Sequence, residues 1–352
     1  MSVSRAGPCH ASTYLVRAAV TAPSVYNTQP WIFVEEGRGK GIEVHADITR
    51  RLVFTDPHGR EMVISCGAAL FNIRLAMRHL GFNPVVQPFP RPGDGALLAR
   101  VLWGAYERPT GEEQHMYRAL RLRRTARGPF RVDPLPPALT DALRTHAADE
   151  GATLYCIDDN ESRQHLAGLV REAEEFHRTD RGHAAELARW TWRVKSPWPR
   201  TDGIPHDTAA PHPDCTVLAG RDYADVTRAF PSPPRRWPTR TGLVAVLSTD
   251  HDDRPDWLRA GQALERILLY AAAHDVVAAF HTQPLEIPRL RAVVRGTLSA
   301  GKFPQMVLRL GYAPGGGPVP RRPAADVLAT GDGRLPGGPR PRRAPSRSRP
   351  AP

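Results

Sequence analysis

The sequence predicts an α+β fold built from two tandem halves, each an antiparallel or mixed sheet flanked by helices, packed as a pseudo-dimer. Three observations carry this. Runs with helical period alternate with short apolar strands along the chain. One helix–strand unit recurs: Gly67-Ala68-Ala69-Leu70 aligns with Gly261-Gln262-Ala263-Leu264, 194 positions later, and Ile73 then meets Ile267 and Leu75 meets Leu269 without a gap. Finally, 352 residues can bury one large core or two ordinary ones without disulfides or metal. Two such halves about a pseudo-twofold axis would behave like a homodimer made from one chain.

In chain order, Ala11 to Val20 reads as a helix that delivers the chain into Ala22-Pro23-Ser24-Val25-Tyr26-Asn27-Thr28-Gln29-Pro30-Trp31-Ile32-Phe33. Trp31 to Glu35 and Ile42 to Ala46 read as the strands of a hairpin around the Gly37–Gly41 turn. Asp47 to Gly59 is polar and turn-rich, and Ser65 is a plausible N-cap for a helix with Leu70, Ile73, Met77 and Leu80 on one face. Gly81 ends that helix, Asn83 to Val86 starts an extended piece, and Leu97 to Ala105 is a buried strand. His115 to Phe130 is read as a helix, Ala138 to Glu150 as another, and Thr153 to Ile157 as a strand. Ser162 to Arg189 is read as one long charged helix. The Pro-rich stretch 190–213 is too long for a plain loop and suits a lid or binding segment. Leu243 to Ser248, Val276 to Phe280 and Gln305 to Tyr312 are further strands. The boundaries expected from this are a first half over 1–112, a second over 113–330, and a disordered Pro/Gly/Arg tail over 331–352.

The net charge of +12 raises a nucleic-acid hypothesis, but residues 331–352 alone contribute +5 through six arginines and one aspartate. Only Lys40, Lys195 and Lys302 accompany the arginines, so the charge reads as composition, and nucleic acid through the basic tail stays a remote alternative. No run approaches the ~20 apolar residues of a membrane span, and Met1 to His10 lacks a signal-peptide core, which makes the cytoplasm the default location. Cys9, Cys66, Cys156 and Cys215 show no CxxC pair, so neither a disulfide framework nor a metal site is expected. His206 and His212 match no metal spacing, and His58 and Glu61 lie near a turn with no nucleophile. Phosphate-loop, dinucleotide-fingerprint, zincin and nucleophile-elbow motifs are all missing.

What remains suits an anionic aromatic ligand. Arg123-Arg124-Thr125-Ala126-Arg127 offers three guanidiniums and a hydroxyl within five residues, a match for a phosphate monoester, although a solvated basic turn would read the same way. Arg321-Arg322-Pro323 follows the last strand and could close on the same phosphate. The amides of Asn27 and Gln29, beside Ser24, can donate and accept, as the edge of a flavin pyrimidine requires; a capped turn is the alternative.

The Ala22–Phe33 stretch resembles the flavin-contacting loop of the nitroreductase superfamily, and Arg123-Arg124-Thr125-Ala126-Arg127 resembles that superfamily's RRSxR motif. The order of the two, spread over two halves, is similar to the Acg-type branch, in which one chain carries two nitroreductase-like halves. Asp56-Pro57-His58-Gly59-Arg60-Glu61, Ile64 to Leu70, Pro304 to Tyr312, and Arg321-Arg322-Pro323 with Asp326-Val327-Leu328 are similar to it too. The resemblance covers roughly residues 10–330. It implies one FMN per chain, because Ser4 to Arg17 carries no second arginine motif. Ser24, Asn27 and Gln29 would meet Arg123, Arg124, Thr125, Arg127, Arg321 and Arg322 around it. The loop His281-Thr282-Gln283-Pro284 would offer a backbone N–H to flavin N5, with Trp190 to Asp207 as a lid. The implied activity is NAD(P)H-dependent reduction, through FMN, of a small nitroaromatic or quinone-like acceptor. No side-chain acid or base is named. An FMN-sequestering protein is the alternative. The implied state is a monomer with pseudo-dimeric halves, with a further homodimer open.

Overall fold

In the computed structural model, residues 9–37, 39–127, 130–192, 200–205, 218, 221, 223, 241–313 and 319–329 are described. The tail over 331–352, His206, His212 and much of the 190–213 stretch lie outside the described residues.

Helix α1 (His10–Ala19) starts where the Cys9 thiol accepts from the Ser12 N–H, and it buries Leu15, Val16 and Ala19. Strands β1 (Trp31–Glu36) and β2 (Gly41–Ala46) pair antiparallel from Trp31↔Ala46 to Glu36↔Gly41. Helix α2 (Arg60–His79) begins five residues before Ser65, which corrects the expected N-cap. The Asp56–Gly59 turn supplies the start instead: Gly59 takes φ +73°, and the Asp56 carboxylate accepts from the Met62 N–H at 2.8 Å. Ser65 sits inside the helix and donates to the Glu61 carbonyl at 2.7 Å. Past its end, Gly81 takes φ +85°, a left-handed value that suits glycine.

Strands β3 (Phe82–Pro88) and β4 (Leu97–Tyr106) follow. Helix α3 (Gly111–Ala119) opens with a capping box between Thr110 and Glu113 and stops at Ala119, so the helix expected over 115–130 is corrected at both ends. The cause of the early stop is tertiary. Thr125 bridges to Ala278 and the Ala126 N–H donates to the Ala278 carbonyl at 2.7 Å, so the arginine stretch runs extended against a strand. Helix α4 (Pro137–Asp149) and strand β5 (Thr153–Ile157) come next, close to expectation.

The long charged helix is two helices, α5 (Asn160–Thr179) and α6 (Arg181–Trp190). Asp180 breaks it with an extended backbone, and its carboxylate accepts from the His183 N–H, capping the second helix. Two-residue strands β6 (Thr191–Trp192) and β7 (Ile204–Pro205) pair in parallel. The remaining elements are β8 (Leu243–Thr249), α7 (Arg254–Ala272), β9 (Val277–Phe280), α8 (Pro288–Leu298), β10 (Phe303–Gly311), the single turn α9 (Ala324–Val327) and β11 (Leu328–Ala329).

Two main sheets result. One runs β11-β1-β2-β4-β3 and the other β5-β8-β10-β9. The order β1-β2-β4-β3 is the order β5-β8-β10-β9, and every neighbouring pair within it is antiparallel. Only β11 is extra; it joins β1 in parallel through Phe33↔Leu328 and Val34↔Ala329. Helices α2 and α7 lie side by side and cross at Gly67 and Gly261, the pair brought together by the sequence repeat. A Cβ on Gly261 would come within 2.0 Å of the Ile64 carbonyl oxygen, and one on Gly67 within 2.3 Å of that of Leu258. The helices also share cores: Leu258 and Leu269 of α7 pack with Trp31, Phe33, Leu70 and Met77, while Ile64 of α2 packs with Leu143, Leu247, Ile267 and Leu308. Among the described residues no helix is long and apolar enough to cross a membrane.

Candidate functional site

The Ala22–Phe33 stretch folds into a strained loop. Tyr26, Asn27 and Gln29 take φ of 49°, 53° and 49°, values that L-residues seldom adopt without tertiary restraint. Local bonds hold it. The Ser24 hydroxyl accepts from the Gln29 N–H at 2.9 Å, and the Ser24 carbonyl accepts from the Asn27 N–H at 2.9 Å. The side-chain amides then bind other parts of the chain. Asn27 Nδ2 donates to the carbonyls of Gly203 and Pro320, both at 3.0 Å, while its Oδ1 accepts from Arg321 at 2.9 Å. Gln29 Nε2 donates to the Thr201 carbonyl at 2.9 Å, and its Oε1 accepts from the Arg322 N–H at 2.8 Å.

Beneath this loop lies a cavity of about 340 Å³, within the size range of small-ligand sites. Its walls come from distant parts of the chain: Ser24 to Asn27 on one side, Arg123, Arg124, Thr125 and Arg127 on another, and Thr282, Gln283 and Glu286 after β9. Ile64 and Leu264, from the crossing helices, join Phe280 and Met306 as apolar lining. Of the residues expected from the sequence, Ser24, Asn27, Arg123, Arg124, Thr125, Arg127, Thr282, Gln283 and Arg321 therefore border one space. Gln29 and Arg322 do not. Gln29 is fully buried with its amide spent on Thr201 and Arg322, and Arg322 turns its guanidinium to the carbonyls of Gln29 and Asp326. Both act as clasps between the loop, residues 200–205 and the C-terminal segment. Asn27 reaches the cavity wall, but its amide is engaged in the same way.

The arginine wall is electrostatically unusual. Arg123 is buried, donates once to the Thr21 carbonyl at 3.2 Å, and leaves its Nε and Nη1 without hydrogen-bond partners. Arg321 donates to Asn27 and to the Thr21 carbonyl, and its Nε is likewise unpartnered. Burial, together with the neighbouring Arg123 and Arg127, brings the Arg321 guanidinium down to about 9. One carboxylate underlies the cluster. Glu265, on α7 and fully buried, lies 3.8 Å from Arg123 and accepts from Asn72 Nδ2 at 3.0 Å. Burial pushes its carboxyl up to about 7, against the pull of Arg123, Asn72 and Arg321.

That shift has a measurable sign. Between pH 4.5, the ordinary glutamate value, and about 7, folded Glu265 keeps a proton that the unfolded chain has lost, so stability falls as pH rises and levels off above 7. Urea unfolding of the wild type should show this loss, on the order of 3 kcal/mol, between pH 5 and 8. Glu265→Gln should remove most of it; an unchanged slope would refute the assignment.

The other end of the cavity is acidic and aromatic. Both carboxylate oxygens of Glu286 accept from Arg221 Nη2, at 2.6 and 2.8 Å, and Arg221 Nη1 donates to the Tyr26 hydroxyl. Tyr223 meets Tyr26 edge-on with centroids 6.3 Å apart, and Arg127 lies 5.5 Å from the Tyr223 ring. Glu61 lines the cavity from the first turn of α2. The His281 N–H is spent on the Val307 carbonyl at 2.9 Å, which leaves Thr282 and Gln283 as the residues of that loop on the wall. Sequence reasoning did not select Tyr26, Glu61, Arg221, Tyr223 or Glu286 as site residues. Tyr26 and Glu61 did lie inside stretches singled out for other reasons. Among the described residues no group of three or more His, Cys, Asp and Glu could hold a metal.

No family model matches the chain. Three Mycobacterium tuberculosis proteins are similar over most of its length. "Uncharacterized protein Rv3127" is 32% identical over 320 residues, spanning 89% of this chain and 91% of that protein. "Putative NAD(P)H nitroreductase Rv3131" is 32% identical over 317 residues, 88% of each. "Putative NAD(P)H nitroreductase acg" is 30% identical over 318 residues, 89% of this chain and 93% of that protein. Among solved structures, nitroreductase A from Vibrio parahaemolyticus overlaps 60% of this chain and 74% of its own, at a TM-score of 0.37 and 11% identity. The FMN-dependent nitroreductase NfnB from Mycobacterium smegmatis, in complex with NADPH, overlaps 57% and 88%, at 0.34 and 17%.

Proposed function

This chain belongs to the Acg-type nitroreductase family, and on that premise we propose that it is an FMN-binding, NAD(P)H-dependent oxidoreductase acting on a small nitroaromatic or quinone-like acceptor. The observation that supports this most is the arginine wall. Arg123, Arg124, Arg127 and Arg321 converge on one cavity, and the buried Nε and Nη1 of Arg123 and the Nε of Arg321 have no hydrogen-bond partner among the described residues. Buried donors of this kind are costly when unmade, and a phosphate dianion is the acceptor that suits forked cations. Thr125 adds a hydroxyl to the same wall.

The residues fit the cofactor in composition as well: a cationic end for phosphate, apolar side chains for a flat ring, and polar groups along the rim. FMN, when bound, supplies hydride transfer between NAD(P)H and the acceptor. The chain's own contributions are orientation and the exclusion of water. Arg123, Arg124, Arg127 and Arg321 would hold the phosphate, Ile64, Leu264, Phe280 and Met306 would flank the ring, and Thr282 and Gln283 would border its polar edge. The halves 1–112 and 113–330 would act as the two subunits of a shared site, a reading supported by the matching strand orders and the Gly67–Gly261 crossing.

One observation favours a second reading, in which FMN is sequestered and not turned over. Asn27 and Gln29 bind the Gly203 and Thr201 carbonyls, and Arg50 and Arg200 both pair with Asp202, so residues 200–205 are tied down against the loop, as a closed lid would require. The visible spectrum of the pure protein separates the two. Bleaching by NAD(P)H with recovery on adding a quinone supports the oxidoreductase; a yellow protein that NAD(P)H leaves unbleached supports sequestration. Arg124→Ala with Arg127→Ala tests the site itself. Each charge-assisted contact contributes about 1.5–3 kcal/mol, so FMN affinity should fall at least about 100-fold. Riboflavin, which lacks the phosphate, should be little affected, and full FMN retention would refute the assignment.

A further inference from the structure

Among the described residues, Glu61, Glu286 and Arg221 line the acidic end of the cavity, and Asp56, Arg60 and Arg291 act on Glu61 from behind it, with Asp252 paired to Arg291. Asp252 takes Arg291 in a two-pronged pair at 2.7 Å for each arm, and Glu286 takes Arg221. Arg60 donates to Glu61 Oε1 at 2.7 Å and to the Gln305 carbonyl at 2.7 Å, which leaves Asp56 as the fourth acid. His177 lies 3.4 Å from Glu286, but burial drives it toward its neutral form, so it adds no compensating charge. Among the described residues the cluster is thus one cation short.

The hydrogen bonds indicate which acid holds the surplus proton. Burial raises the Asp56 carboxyl too, but it lies before the N-terminus of α2, accepts from the Met62 N–H at 2.8 Å, and is pulled back down by Arg60 and these backbone donors. Glu61 is 2% exposed, lines the cavity, and leaves its Oε2 buried with no hydrogen-bond partner among the described residues. An ionised oxygen in that position would be desolvated and uncompensated, whereas a protonated one carries its own donor.

We propose that Glu61 is a proton donor built into this cavity, neutral at rest with its proton on Oε2, and that it protonates the oxygen of the bound acceptor during reduction. Burial and the nearby Glu286 both push its carboxyl well above the ordinary range, with Asp56 adding to the push and Arg60 and Arg291 opposing it. The inference rests on the oxidoreductase reading. In the step, hydride originating on NAD(P)H, carried through the flavin site, adds to a quinone-like or nitro acceptor. An electron pair moves onto the acceptor's oxygen, the O–H bond of Glu61 breaks, and an O–H bond forms on the acceptor. Glu61 is left as a carboxylate against Arg60 and recovers its proton from water. The acceptor class that suits this end is one whose oxygen can accept a hydrogen bond from a neutral carboxyl.

Two measurements test the proposal. The infrared difference spectrum between wild type and Glu61→Gln at pH 7, recorded without acceptor or NAD(P)H, should show a protonated-carboxyl stretch that the variant loses. Absence of that band overturns the resting proton. In the flavin-loaded protein, turnover is compared with benzoquinone, which needs protons, and with ferricyanide, which takes an electron alone. The quinone-to-ferricyanide ratio should fall about 100-fold in Glu61→Gln, as removal of a general acid predicts, and recover in part in Glu61→Asp. A ratio unchanged in Glu61→Gln overturns the donor role. Wild-type protein that turns over neither acceptor refutes the oxidoreductase reading and the donor step together, and the infrared band still decides whether Glu61 holds a proton.

Discussion

Gly261→Ala should destabilise the protein by more than about 4 kcal/mol, enough to leave little folded chain at 37 °C. On an isolated helix the same change would add stability, since glycine inside a helix costs roughly 0.8–1.0 kcal/mol relative to alanine. Here the sign reverses. The new Cβ would sit 2.0 Å from the Ile64 carbonyl oxygen and 2.8 Å from the Gly67 Cα, and both are backbone atoms that no rotamer change can move. Relief requires α2 and α7 to separate. They share two cores, so separation exposes Leu258 and Leu269 on one side and Ile64 on the other. Gly168→Ala, in the middle of α5 where nothing lies within 4 Å of the added carbon, is the control and should stabilise by about 0.5–1 kcal/mol. Urea midpoints of the two variants measure this directly. A Gly261→Ala midpoint equal to wild type would mean that the helices do not cross as closely as described.

Arg123→Met should abolish FMN retention and also weaken the fold. Arg123 is the buried member of the arginine wall and the one cation within 4 Å of Glu265 among the described residues. Removing one partner of a buried pair costs about 3–5 kcal/mol when the other stays charged. Glu265 can soften that cost by staying protonated, since burial already pushes it up to about 7. The loss should therefore be small at pH 5 and large at pH 8. Arg123→Met with Glu265→Gln should recover the stability at pH 8 without recovering FMN, which separates the structural role of the pair from the binding role. A variant that kept FMN at full occupancy would show that the phosphate site does not include Arg123.

Much of this arrangement could be read from local pattern. The strands over Trp31–Glu36, Leu97–Tyr106, Thr153–Ile157 and Leu243–Thr249 fall where apolar runs between turn residues place them. The 194-residue repeat aligns Gly67 with Gly261 as equivalent positions, but that the two glycines touch where α2 and α7 cross is not contained in the alignment. Errors fell where a distant partner decides the local conformation. The arginine stretch leaves the helix at Ala119 because Thr125 and Ala126 pair with Ala278, a residue some 150 positions away. Asp180 interrupts a continuous helical period by capping a new helix, an alternative that the period itself does not register.

At the site, the arginine wall was legible because Arg123, Arg124 and Arg127 are neighbours in sequence. Glu61, Arg221 and Glu286 border one cavity from three separate stretches of the chain, and no spacing connects them. Asn27 and Gln29 were legible as polar groups but not as clasps. Their partners, the carbonyls of Gly203, Pro320 and Thr201, are backbone atoms that carry no residue-specific signal.

The parallel pairing of β11 with β1 makes the order of synthesis matter. Phe33 and Val34 emerge from the ribosome early, whereas Leu328 and Ala329, which cover them, are added nearly three hundred residues later. Until then the first sheet exposes a raw edge of unpaired amides and carbonyls on β1, the kind of edge that recruits strands from other nascent chains. A stop codon shortly before Leu328 would leave every cavity-lining residue in place and yet make that exposure permanent. Such a truncation should be recovered from cells mainly as aggregate, and its solubility would respond to chaperone supply more than to added flavin.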